Sequence, residues 1–95
     1  MYPEIRSFAL LADKIIYVEF TSGESGKFDM APYMKSSFFS TLHNERYFRR
    51  AHLEFGVITW PAGQDISPAT IRLEMIPCER PQGIDLKTAN MHAIA

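Results

Sequence analysis

Residues 14–20, KIIYVEF, alternate along the chain: Ile16, Val18 and Phe20 fall on one face, and Ile15, Tyr17 and Glu19 on the other. This run of β-branched and aromatic residues makes a strand with one strongly apolar face. Such a face needs a sheet around it and a covering layer above it. The flanking residues supply the sheet. Upstream, IRSFALL (5–11) reads as a second strand, joined through Ala12-Asp13 in a tight turn. Downstream, the two glycines of TSGESG (21–26) end the central strand, and KFDM (27–30) returns as a short third one. The opening of the chain is therefore an antiparallel meander.

Pro32 closes that unit, and the period then changes. Phe38 and Leu42 are spaced by one helical turn, as are Tyr47 and Ala51. Asn44 stands between the two pairs as an N-cap for ERYFRRA, so residues 33–51 are expected to form one or two short helices with a break near His43-Asn44. HLEF and VITW follow on either side of Gly56, as a tight hairpin or a bulged strand. Ser67 and Pro68 then begin a helix, with the hydroxyl as cap and proline at the first helical position. Ile66 and Ile71 have the spacing of a hydrophobic staple, and Pro77 stops the helix.

The expected fold is α+β: an antiparallel sheet of about five strands (meander, short helices, hairpin), with a C-terminal helix packed on one face. It forms one domain over residues 1–77. Residues 78–95 are expected to be a tail, either mobile or packed on a partner, with Ile84, Leu86, Met91 and Ile94 as its apolar positions. A chain of 95 residues has no room for a second core. Its 46% hydrophobic content argues for a packed one.

Strand, strand, turn, then FDMAPYM, FFSTL and YFRRAHLEFGVITWPAGQDISPATI, in this order, resembles a small bacterial family known as domain of unknown function 2442. Asp29-Met30, Phe39 with Leu42, Phe48, and the series Trp60, Gly63, Asp65 and Ile66 carry the resemblance, which spans roughly residues 8–76. It implies a small α+β domain, fused in some members to a helix-turn-helix module and associated with toxin–antitoxin-like gene pairs. It supplies no catalytic residues.

The residues themselves offer little chemistry. His43, His52 and His92 share no metal-ligand spacing, Cys78 has no base beside it, and the serines sit in no nucleophile elbow. No enzyme activity, cofactor or metal site is expected. The net charge of −1 removes the long-range attraction on which nonspecific nucleic-acid binding depends. The basic-aromatic stretch 44–51 nevertheless sets Arg46, Arg49 and Arg50 around Tyr47 and Phe48, and makes a nucleic-acid-binding regulator the alternative reading. Trp60 and Asp65, within WPAGQDISP, are the other candidate interaction residues, although a strand-to-helix connection accounts for the whole stretch. A single cysteine, an N-terminus without the pattern of a secretion signal and the lack of a membrane-length apolar run lead us to expect a cytoplasmic location. The expected function is contact with a protein partner or self-association as a homodimer.

Overall fold

The computed structural model describes residues 3–88. Its first three strands follow the alternation: β1 (Ile5–Leu10), β2 (Ile15–Phe20) and β3 (Ser25–Asp29) are antiparallel, with Phe8 opposite Val18 and Ile16 opposite Phe28. Between β1 and β2 the chain turns through Asp13 and Lys14, at φ 60° and 63°. Aspartate tolerates this left-handed region better than most residues.

The expected helices over 33–51 are mostly 3-10 turns, Ala31–Lys35 and Ser37–His43. One short α-helix follows, α1 (Glu45–Phe48), with the break at the expected place: the Asn44 side chain accepts the Tyr47 backbone N–H at 3.0 Å. The tighter winding changes which residues share a face. With roughly three residues per turn, positions three apart stack. Leu42 is buried and Phe39 is packed beside the core, whereas Phe38, four residues from Leu42, is 57% exposed. A serine-rich run of low helix propensity favours such short, tight turns.

The hairpin forms as β4 (His52–Glu54) and β5 (Val57–Thr59), joined by Phe55 and Gly56 at φ 53° and 77°. Two successive positive φ values define a type I′ turn, whose twist suits a hairpin. This hairpin does not join the meander. It pairs with β6 (Asp65–Ile66) in a separate three-stranded sheet, ordered β4-β5-β6. The outer places of the five-stranded sheet belong instead to β7 (Ile76–Pro77) and β8 (Lys87–Thr88), in the order β7-β3-β2-β1-β8. Two-residue strands carry no legible alternation, which is why the pattern of residues points to the hairpin for these places.

Helix α2 (Pro68–Glu74) begins as expected, with the Ser67 hydroxyl accepting the Ala69 N–H at 3.2 Å, and Ile66 and Ile71 both lie in the core. Pro77 holds Ile76 extended, and Ile76 pairs with Lys27 at the sheet edge. Gly26 makes that close approach possible, since a Cβ there would stand 2.7 Å from the Ile76 carbonyl oxygen.

Two substitutions test these local arguments. Phe55→Asn places the favoured Asn-Gly pair in the type I′ turn and removes a side chain that is 97% exposed; urea unfolding should show a gain of about 0.5–1 kcal/mol. Ser67→Ala should cost about 1 kcal/mol by the same measurement.

Candidate functional site

Trp60 sits at the end of β5 and is fully buried. Its indole N–H donates to the Phe48 carbonyl at 2.9 Å, and the two rings lie 5.8 Å apart. The turn after it closes through backbone bonds, Gly63 N–H to the Trp60 carbonyl and Trp60 N–H to the Gln64 carbonyl, each 2.8 Å. Gly63 takes the positive φ of 97° that this turn requires. Trp60 therefore presents no surface to a partner.

The sequence leads one to expect Asp65 to accept backbone N–H groups within this turn or at the start of α2. Instead Asp65 is exposed in β6, paired through its backbone with Thr59, and its carboxylate makes no hydrogen bond among the described residues. The Tyr47 hydroxyl does that work, held in place by Gln64. The buried Gln64 side chain accepts the Tyr47 hydroxyl at 2.6 Å and donates to Thr41 Oγ1 at 2.8 Å, while the Tyr47 oxygen accepts the Ala62 N–H at 2.8 Å. A glutamine between Gly63 and Asp65 reads as a solvated turn residue, so no local signal marks it.

Arg46, Arg49 and Arg50 are all exposed at α1. Arg49 pairs with Glu45 at 3.1 Å, one helical turn away, and Lys14 beside the same carboxylate holds its pKa below the ordinary value. Arg46 and Arg50 line a shallow depression with Thr41, Asn44 and Tyr47. Trp60 and Asp65 take no part in it.

The more structured chemistry lies on the other side of the meander. Paired residues in a sheet share a face, so Ser7, Ala9, Tyr17, Glu19 and Ser25 lie together, opposite the core face of Phe8, Val18 and Phe28. From β7 at one edge to β8 at the other, the chain must pass over this second face. At Ser25 the Cys78 N–H meets the backbone carbonyl at 3.2 Å, and the Ser25 hydroxyl donates to the Cys78 carbonyl at 2.6 Å. Over β2, Arg80 reaches Glu19 with Nε at 2.6 Å and Nη2 at 2.8 Å. Farther on, Lys87 donates to the Arg49 and Ala51 carbonyls at 2.7 and 2.9 Å, and burial lowers its pKa. Residues 78–88 of the expected tail thus lie on the chain's own sheet; Met91 and Ile94 fall outside the described residues.

Glu19 is a carboxylate whose side chain is only 7% exposed. Tyr17 Oη donates to it at 2.7 Å, Ser7 Oγ at 3.1 Å and Arg6 Nη2 at 3.5 Å, in addition to Arg80. The Arg80 guanidinium is the main cause that holds the Glu19 pKa down at about 2, against the opposing effect of burial. Burial, and then Glu19, push the Tyr17 phenol up. The sequence placed Tyr17 and Glu19 on one face but gave no sign that Arg80, 61 residues from Glu19, would cover them.

Beyond the part crossed by residues 78–86 the same face stays open, as a groove of about 460 Å³ lined by Leu11, Ala12, Ile15 and Ile76 with Lys27, Asp29 and Glu74. No group of three or more His, Cys, Asp or Glu among the described residues could hold a metal ion. No helix among them is long and apolar enough to cross a membrane.

The fold and the site define a small two-sheet α+β domain. The family described as protein of unknown function (DUF2442) matches residues 5–76, three quarters of the length, and the chain belongs to it. The matched stretch runs from the first residue of β1 to the first residue of β7. No curated protein and no solved structure matches the chain.

Two outcomes check this account. The folded-state pKa of Glu19 lies below its ordinary value, so its stabilisation is present above about pH 4.5 and is lost as the pH falls towards about 2. Urea midpoints should drop over that window in the parent and drop less in Glu19→Gln, which starts lower at neutral pH. Trp60→Ala should cost about 3–5 kcal/mol, whereas Asp65→Asn should stay within about 0.5 kcal/mol of the parent.

Proposed function

We propose that this domain acts in the cytoplasm without catalysis, through protein–protein contact, and that its first partner is a second copy of itself. The observation that carries the reading is the pair Leu73 and Ile76, 83% and 73% exposed, with Ile76 on the rim of the open groove that Leu11 and Ile15 line. Large apolar side chains gathered at one edge of a small domain are what a protein interface covers. The edge strand beside them, β7, is two residues long and leaves β3 thinly protected against a further strand. A partner encoded by a neighbouring gene, as in toxin–antitoxin-like pairs, is the finer form of the proposal; it follows from family analogy.

Light scattering at high micromolar concentration should give a dimer, and Ile76→Asp or Leu73→Asp should give a monomer that still unfolds cooperatively, with a midpoint no longer dependent on protein concentration. A monomeric parent would sink self-association. Nucleic-acid binding is the second reading, favoured by Arg46 and Arg50 flanking Tyr47. On the protein-contact reading the parent shows no micromolar binding of an RNA or DNA library. Binding that weakens steeply with salt, and disappears when Arg46, Arg49 and Arg50 are all changed to glutamate, would reverse the order of the two.

A further inference from the structure

We infer that Ser7, Tyr17 and Glu19 form a receptor for an arginine carried on an extended protein segment, and that this chain fills the receptor in cis with its own Arg80. The contact has the form of ligand recognition. Nε and Nη2 of one guanidinium meet the two oxygens of one carboxylate at 2.6 and 2.8 Å. This forked geometry is specific to arginine; a lysine ammonium, a point charge, cannot reproduce it.

The receptor is held ready by rigid elements. Glu19 lies on the central strand β2, and its carboxylate is fixed by the Tyr17 and Ser7 hydroxyls at 2.7 and 3.1 Å. A carboxylate buried to this degree requires a cation, since leaving it unpaired is costly. The occupant is more exposed than the receptor: the Arg80 side chain is 56% exposed, and none of residues 78–88 is fully buried, although Lys87 at the far end holds on through the Arg49 and Ala51 carbonyls. The segment is anchored at its ends by strands of two residues each. It contributes no side chain to the hydrophobic core.

The extent of the family match points the same way. Residues 5–76 contain Ser7, Tyr17 and Glu19 and stop before the segment that covers them. The backbone of the occupant is also read, through the paired bonds between Ser25 and Cys78, two residues ahead of the arginine. An incoming segment therefore needs an arginine in an extended stretch. Displacing the strap would give it Glu19 at one end of the face and the groove beside Ile15 at the other. For the source of that segment, a second copy of this chain, the inference rests on the proposed function; the guanidinium chemistry stands apart from it.

The test uses the whole chain carrying Arg80→Ala and a synthetic peptide of residues 76–88, IPCERPQGIDLKT, titrated by calorimetry in reducing buffer. The variant should bind the peptide at least about tenfold more tightly than the parent does, because its own strap no longer competes. The same peptide with lysine in place of arginine should bind at least about tenfold more weakly, for want of the paired bonds. Adding Glu19→Gln to the variant should remove the gain. Should Arg80→Ala fail to fold, Arg80→Lys keeps a cation over Glu19, and the same comparison applies. In the parent, excess peptide should shift the amide resonances of Ser7, Tyr17 and Glu19. Equal binding of the arginine and lysine peptides, or peptide binding that survives Glu19→Gln, would overturn the inference. Self-association is read separately by light scattering on the Ile76 and Leu73 variants, so either reading can fail while the other stands.

Discussion

The hydrogen bond from the Trp60 indole to the Phe48 carbonyl joins the two halves of this domain. Phe48 ends α1, which follows the first sheet, and Trp60 ends β5 in the second. An indole buried without a partner would be expensive, so the ring fits only where that carbonyl is offered. Its position then sets the rest. The Phe48 ring packs beside Trp60, and the Lys14 ammonium lies 4.6 Å from the Phe48 centroid, tying in the β1–β2 connection. Gln64 and Tyr47 bind the turn after Trp60 to the same helix. Two small sheets, neither with enough apolar surface to stand alone, thereby enclose one core.

That arrangement frees the second face of the main sheet for a different use. Sheets that face water on one side are usually polar there, yet β2 is buried on both faces from Ile16 to Phe20. Polar Tyr17, Glu19 and Ser7 are covered by a segment that adds no core residue of its own. A buried ion pair is weak evidence of stabilisation, because desolvation offsets much of the attraction. Its geometry is nonetheless selective, since Nε and Nη2 of Arg80 meet both Glu19 oxygens, a fit that a lysine ammonium does not reproduce. The neighbouring groove, with exposed Ile76 on its rim, extends that face with apolar surface.

Much of the scaffold was legible in the sequence because its causes are local. The alternation of Ile16, Val18 and Phe20, the Asn44 and Ser67 caps, the Gly56 hairpin and the left-handed Gly63 each depend on a few adjacent residues, and each appears in the structure. Local reasoning failed where a neighbour in space decided the outcome. Phe38 was paired with Leu42 by α-helical spacing, but 3-10 winding turned it to solvent. The task that the sequence assigns to Asp65 falls to the Tyr47 hydroxyl, which buried Gln64, 17 residues away, holds in place.

The sequence by itself determined the class of fold, the meander and the capped helix α2, since propensity, turn chemistry and hydrophobic period act over short distances. Only the tertiary structure decided that there are two sheets, and that two-residue strands close the first of them. The same holds for the candidate site. Glu19 reads as an outward-facing charge, and Arg80 as one basic residue in a loop rich in proline and glycine. Sequence carries no distance between them. The crossing of residues 78–86 over the sheet brings their charges within 2.6 Å, and it is Glu19, 7% exposed, that the crossing takes out of water.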